Sequence, residues 1–500
     1  MLNGSESFAT FIIFAAVVAI LVWGYNRAKG FGKLGLLAWL QSIVLMTPWL
    51  LFFGLFAVGI YLNLVGILFL LLTSIGLYIW LGKQLRAAGQ EALLQQKAAE
   101  RIKQEAEISE KSAQMDNSVS MQDVTAEILP IPDEDLAELK GIFGIDTFFA
   151  TETIPYQDGA IFKGNLRGEA AESHAKMNQK LETIFGDKYR LFLVESPEGR
   201  PVVVILPKTN DPQTTTLAQK NLALILLIGT ILTSLEAASL LQGFDLFNDF
   251  GRYSEAIPLA LGLWAVLIVH EIGHRVIASR NNVRLSIPFF LPTWQIGSFG
   301  AITRFESLLP NRTVLFDIAF AGPAVAGIIS LILLVTGLVL SHPGSMFQLP
   351  TEFFRASILV GALAKVILGS GLEAAVVDIN PLVVIGWLGL VITALNLLPA
   401  GKLDGGRIVH AIYGRKTGRK STLATLIILG IVSLFNPANP IPLYWAVLIL
   451  FLQRDLERPV QDELTEPDDN RAALGLLALF LSLATLVPLS ASLAGRIGLG

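Results

Sequence analysis

Five hundred residues of which 53% are hydrophobic and only 16% charged make a chain too apolar to fold wholly in water, so several membrane spans are expected. The formal net charge of −4, with no Lys/Arg-rich patch, argues against a nucleic-acid partner. Zero cysteines exclude a disulfide framework, cysteine-ligated zinc, iron–sulfur clusters and a thiol nucleophile; any transition-metal site must use His and carboxylates.

Apolar runs long enough to cross hydrocarbon, which takes about 20 residues, appear at 8–25, 34–58 and 61–82 and make residues 1–82 an N-terminal membrane unit. Glu6 and no basic residue precede the first run at Phe8–Trp23, which has no small-residue cleavage pattern. It reads as a retained anchor without a transit peptide. Residues 83–131 change character: Gln, Ala, Lys and Glu dominate up to 116, as in a solvated helix, and Pro130 and Pro132 close a linker.

Residues 132–208 read as a small soluble α+β domain inserted before the next membrane unit. The pattern predicts a helix at Asp133–Phe143, strands near Thr147–Thr153 and Ala160–Leu166, and a helix at Glu169–Phe185. A hairpin of Tyr189–Val194 and Pro201–Leu206 follows, turning at Pro197, Glu198 and Gly199. Its one histidine, His174, lies among Glu172, Lys176 and Lys180 and is expected to face solvent.

Further spans are expected at 217–241, 256–278, 314–340, 382–400, 422–437, 441–453 and 472–494, the last three forming a C-terminal group within 416–500. Residues 286–302 are apolar but broken by Pro288, Pro292, Gly297 and Gly300, which predicts a re-entrant loop or edge strand lining a site. Arg355, Lys365, Glu373 and Asp378 interrupt 351–378, which is expected to lie on the surface as a helix. If ten spans alternate from an outside N-terminus, only Arg252, Arg355, Lys365 and Arg496 of the 37 basic residues fall outside. That bias places 83–216 and 401–421 on the cytoplasmic or stromal side.

The segment 256–280 carries the most specific chemistry. His270 and His274 are four residues apart, so on a helix both imidazoles leave one face and can share a metal ion. Glu271, beside the first histidine, is placed to act as general base on a metal-bound water. No charged residue occurs in 256–269, so these groups sit at the edge of hydrocarbon, where ionisable side chains are costly and usually functional. A third ligand is found in Asp404, where the span 382–400 emerges on the same expected side as His274. Gly405 and Gly406 permit close backbone approach beside it, and Asn396 and Pro399 mark a helix break.

His270-Glu271-Ile272-Gly273-His274 together with Asn396-x-x-Pro399-x-x-x-Leu403-Asp404-Gly405-Gly406 resembles the site-2 protease family of intramembrane zinc metalloproteases. Gly164-Asn165-Leu166-Arg167, with spans and a soluble domain ahead of the core, looks like its EGY-type branch in cyanobacteria and plastids. Residues 297–303 are similar to the glycine-bearing loop that the family sets beside its active site. The resemblance implies a polytopic α-helical fold with a zinc metalloprotease core at 217–415, and Zn2+ held by His270, His274 and Asp404. It implies Glu271 as base, Asn396 as hydrogen-bond donor to substrate or oxyanion, and substrate binding at Gly297, Ser298, Phe299 and Gly300. Transmembrane proteins would be cleaved within or near the bilayer. The lack of a transit peptide fits a cyanobacterial-type bacterial chain in an inner or thylakoid membrane. No PDZ-like domain separates the catalytic spans. Two alternatives compete: a zinc transporter, which should show ligands along a pathway although His342 and His410 stand isolated, and an inactive scaffold, against which Glu271 counts.

Overall fold

The computed structural model describes residues 22–57 apart from 23 and 31, scattered positions between 70 and 85, and residues 131–496 apart from 157, 294, 295, 438 and 454. The expected spans 8–25 and 61–82 and the segment 83–131 lie for most of their length outside the described residues. The chain divides into two units, Met1–Thr125 and Ala126–Gly500. In the first, helix α1 runs Gly32–Ala57, starting two residues before the apolar run expected at 34–58.

The second unit opens with the α+β domain: α2 (Asp133–Gly141), β1 (Phe148–Tyr156), β2 (Gly159–Leu166), α3 (Ala170–Phe185), β3 (Tyr189–Glu195) and β4 (Pro201–Pro207). The four strands form one antiparallel sheet in the order β1-β2-β4-β3. Helix α3 buries Ser173, Met177 and Leu181, a stripe at four-residue spacing, against a core that includes Leu139, Ile142, Phe148, Phe162, Leu191, Val203 and Ile205. Each such large apolar side chain contributes about 1.5–3 kcal/mol by leaving water. Gly164 lies where a Cβ would strike the Phe149 carbonyl, so in the Gly-Asn-Leu-Arg stretch it permits a close strand crossing, while Asn165 and Arg167 are exposed.

A connecting segment, residues 455–468, ties this domain to the membrane core. Leu193 of β3 donates its N–H to Gln461 (2.7 Å) and accepts from Glu463 (3.0 Å); Gln461 and Asp462 in turn donate to Leu309 and Pro310. His174 faces this junction, half-buried rather than solvent-facing, because α3 packs onto β3 where the segment adds to the sheet. Burial holds the His174 pKa below its ordinary 6.5 against the pull of Asp462. Burial would raise Glu463, but His410, Arg415 and the Val460 N–H hold it below its ordinary 4.5. In both cases the unfolded chain takes up protons that the folded one resists. Stability is therefore full above about pH 6.5, falls as His174 is forced to charge below that, and falls again as Glu463 protonates below about pH 4.5. Amide protection factors of β3 in the full chain, corrected for the intrinsic pH dependence of exchange and followed from pH 8 to pH 4, should fall first at this junction on the acid side; protection unchanged by acidification would refute it.

Among the described residues, five helices are long and apolar enough to cross a membrane: Gln219–Leu241, Phe250–Arg280, Arg312–Val339, Asp404–Phe435 and Asp469–Leu486. They belong to α4 (Leu217–Leu241), α5 (Tyr253–Arg280), α6 (Arg312–Leu340), and to the later helices α9 (Asp404–Phe435) and α11 (Asp469–Leu486). The strands β5 (Phe289–Thr293) and β6 (Gly297–Ile302) form a hairpin within 286–302, and α8 (Pro381–Asn396) is a shorter apolar helix packed on α6. Exposed Leu224, Ile225, Ile228, Leu261, Ile268 and Ile272 would be anomalous against water and suit hydrocarbon. Gly386 and Gly389 sit where a Cβ would strike Leu334 and Ser330, letting α8 approach α6 backbone to backbone.

Two expectations are corrected here. Residues 351–378 are not one helix. They hold a 3-10 stretch, the 11-residue α7 (Ile358–Leu368) and the strand β8 (Val376–Ile379), which pairs with β7 (Phe347–Pro350). The span expected at 422–437 belongs to a helix that begins at Asp404 and takes in most of 401–421, bent at Gly414 with φ 76°. That break strands the carbonyls of the turn before it, and buried Arg312 takes over two of them, donating to Ala411 (2.8 Å) and Ile412 (2.7 Å).

Candidate active site

Helix α5 turns one face inward. Leu259, Leu263, Val266, Leu267, His270, Glu271 and His274 are buried on it, while Leu261, Ile268 and Ile272 point outward. The four-residue step brings the two imidazoles edge to face, with Nε2 of His270 and Nε2 of His274 3.0 Å apart. The space for this comes from glycines. Gly273 lies where a Cβ would press on the Ala321 carbonyl, and a Cβ on Gly322 of α6 would collide with the His274 ring.

Asp404 arrives from the other direction. Helix α8 ends at Asn396, a tight turn follows, and α9 starts at Asp404. Gly405 and Gly406 are required there because side chains would run into the carbonyls of Leu397, Ala400 and Gly401. The result puts Asp404 Oδ2 3.1 Å from His270 Nε2 and 3.4 Å from His274 Nε2, with all three residues buried.

These donor atoms fit a cation. His274 Nδ1 sits 2.7 Å from the Ile318 carbonyl, which calls for the proton on Nδ1 and leaves a lone pair on Nε2. That lone pair faces a carboxylate oxygen, an arrangement that repels unless positive charge lies between. Ligands at 2.0–2.1 Å from a tetrahedral zinc lie about 3.3 Å from one another, close to the separations found. His270, Glu271 and His274 also offer donor atoms within 4.8 Å of one another. Of the two carboxylates, Asp404 is the nearer to both imidazoles. Glu271 Oε2 accepts a hydrogen bond from Thr303 Oγ1 (2.8 Å), just beyond β6.

Asn396 donates from Nδ2 to the Ile392 carbonyl of its own helix (2.9 Å) and to the Phe299 carbonyl (3.1 Å), so one contact stays within α8 and the other tethers β6 to it. Gly300, at φ 98°, leaves room for that amide. Gly297, Ser298, Phe299 and Gly300 are all buried: Thr233 donates to the Gly297 carbonyl (2.6 Å), and Phe299 packs against Tyr444 and Trp445 of α10 (Ile441–Leu448). Three further residues about the site carry weaker signals in sequence. Thr303 closes the glycine-bearing stretch, Arg407 stands one helical turn after Asp404, and Glu457 is 50 residues away from it along the chain, where no spacing rule reaches.

A buried His–His–carboxylate cluster with a second carboxylate beside it, set among helices apolar enough to cross a membrane, has the donor set of a metallohydrolase site. Comparison with known proteins agrees. Residues 258–436 match the model of Peptidase family M50, and 137–213 match the EGY3 middle domain. Relatives from Arabidopsis thaliana include "Probable zinc metalloprotease EGY2, chloroplastic", 41% identical over 72% of this chain and 65% of that protein. "Probable zinc metalloprotease EGY1, chloroplastic" is 36% identical over 72% of each, and "Probable zinc metallopeptidase EGY3, chloroplastic" is 34% identical over 71% and 65%. The chain thus spans about two thirds of the length of the curated relatives it matches. No solved structure matches. The chain belongs to peptidase family M50, the site-2 protease family, among the EGY zinc metalloproteases.

The Gly322 contact gives a test of how tightly the cluster is built. Gly322→Ala puts a methyl against the His274 imidazole, whose ring cannot swing aside without giving up its Nδ1 contact with the Ile318 carbonyl (2.7 Å). Zinc affinity is expected to fall at least tenfold, as for other groups that orient a ligand, while the protein stays folded. Competitive zinc titration against a chromophoric chelator would measure it, and wild-type affinity would refute the close fit.

Proposed function

We propose that this chain hydrolyses peptide bonds of transmembrane substrates within or near the bilayer, with His270, His274 and Asp404 holding zinc and Glu271 serving as general base. The observation that carries the reading is the convergence of His270 Nε2, His274 Nε2 and Asp404 Oδ2 to within 3.0–3.4 Å at the end of an apolar helix. Bound zinc supplies a polarised carbonyl and a water acidic enough to be deprotonated near neutral pH. Glu271 takes that proton from the attacking water and returns it to the leaving amide nitrogen as the C–N bond breaks. The Thr303 hydroxyl fixes the carboxylate during the transfer. Burial excludes bulk water and strengthens each of these contacts.

A helical substrate must be unwound before its carbonyl is exposed, and the Gly297–Gly300 stretch of β6 is suited to pair with such an extended segment. Asn396 positions that stretch through Phe299. Since Phe299 lies under Tyr444 and Trp445, pairing there requires α10 to shift. The soluble domain, held on the core through segment 455–468, is suited to gate or select substrates. The ten-span topology with 83–216 and 401–421 on the cytoplasmic or stromal side is retained as part of this proposal. The plant relatives, named as chloroplastic, give no support to the bacterial source expected from the N-terminus; a thylakoid membrane is common to both placements.

Reconstituted protein with a single-span substrate should cleave with zinc and stop with a chelator. Zinc flux into the liposomes without cleavage would favour a transporter, although His410 is committed to Glu463 at 3.1 Å. Neither activity in zinc-loaded protein would leave the inactive scaffold.

A further inference from the structure

We propose that Arg407 is a positioning residue for this chemistry, holding the Asp404 ligand and, through Thr303, the Glu271 base in one fixed arrangement, with Glu457 aiming its guanidinium. This rests on the hydrolytic reading above. The evidence is a closed loop of contacts around the cluster. Arg407, one turn after Asp404 on α9, has Nη1 3.7 Å from Asp404 Oδ1, the oxygen that does not face the imidazoles. Its Nη2 donates to the Thr303 carbonyl (2.8 Å), and Thr303 Oγ1 donates to Glu271 Oε2 (2.8 Å). Glu271 follows His270 on α5, which returns the loop to the metal ligands.

The guanidinium is held through Nε, Nη2 and its face. Glu457 Oε2 accepts from Nε (3.0 Å) and Nη2 (2.9 Å), and the Phe305 ring stacks on Cζ at 4.7 Å. Arg407 is only 6% exposed and the Glu457 side chain 11%. A buried ion pair that merely fastened segment 455–468 to α9 would need only the Arg407–Glu457 contact. Here Nη2 reaches the peptide carbonyl of the residue that holds the base as well as Glu457, and Nη1 lies 3.7 Å from the ligand carboxylate. Thr303 is β-branched and stiff about χ1, so fixing its peptide also fixes where its hydroxyl points. A planar guanidinium offers several donors in fixed directions; an ammonium does not.

The test uses the full-length protein in bilayer discs, with zinc affinity from chelator competition and kcat and KM on a transmembrane substrate at saturating zinc. Arg407→Gln is expected to bind zinc about tenfold more weakly and, once loaded, to show kcat reduced about 10–100-fold with KM within about twofold. Arg407→Lys should recover little of this. Thr303→Val should keep wild-type zinc affinity and lose kcat alone, since it touches only the base. Glu457→Gln should fall several-fold, and the Arg407→Gln, Glu457→Gln double variant no lower than Arg407→Gln, because Glu457 acts only through the guanidinium. A purely structural tie predicts a lower melting temperature with normal kcat per zinc-loaded molecule. That result, wild-type zinc affinity in Arg407→Gln, or independent multiplication of the two single effects would overturn the proposal. If Arg407→Gln does not fold, wild-type kcat in Glu457→Gln overturns it. Absence of cleavage in zinc-loaded wild-type protein would instead sink the hydrolytic reading, and the zinc-affinity arm would still decide this one.

Discussion

Glu271→Gln is expected to keep its zinc and lose cleavage by about 10²–10⁴-fold, the usual range for removing a positioned general base. The substitution is nearly isosteric, and the amide oxygen can still accept from Thr303 Oγ1, so the hydrogen bond that holds residue 271 survives. What disappears is the carboxylate that can take a proton from water. The three donor atoms of His270, His274 and Asp404 lie on other side chains and do not depend on it. Zinc stoichiometry near one per chain beside a collapsed kcat would separate base from ligand. Loss of zinc in this variant would make Glu271 a ligand, which its place within 4.8 Å of both imidazoles also permits. Cleavage at the wild-type rate would remove it from the chemistry altogether.

What could be read from the sequence follows from which contacts are local. The step of four between His270 and His274 is close to the helix period, so a shared ligand face is implicit in the spacing. The strands of residues 148–207 announce themselves by alternating apolar runs, and their observed limits fall within a few residues of those expected. Gly405 and Gly406 were legible as a site of close approach; that they clear Leu397, Ala400 and Gly401 needed the structure. Contacts between distant segments leave no period to read. The pairing of Leu193 with Gln461 and Glu463 joins residues some 270 apart, and it turned His174 from a solvent-facing side chain into a half-buried one. The helix through 401–421 was hidden for a different reason. Its Lys and Arg residues and its glycines imitate a loop, whereas one glycine at a positive φ is enough to bend a helix whose stranded carbonyls Arg312 can satisfy.

Asp404→Ala should fail in the opposite manner, losing metal first and cleavage as a result. The carboxylate contributes the one formal negative charge among the three ligand atoms, at 3.1 and 3.4 Å from two imidazoles that are themselves neutral ligands. Without it, two nitrogens on a single helix turn must hold the ion, and affinity is expected to fall by more than the 10–100-fold typical of a change one layer further out. The fold has reason to survive. Asp404 opens α9 without capping it through its side chain, and Arg407 keeps Glu457 as its counter-ion. Alanine also fits wherever the aspartate did. Zinc content should therefore drop in protein that still elutes as a single species and melts near the wild-type temperature in the presence of chelator. Excess zinc should restore little cleavage, because the remaining ligands no longer fix the ion against Glu271. If Asp404→Ala instead retained stoichiometric zinc after dialysis, the third ligand would have to be sought elsewhere, and Glu271, the other carboxylate within reach of both histidines, would be the first candidate.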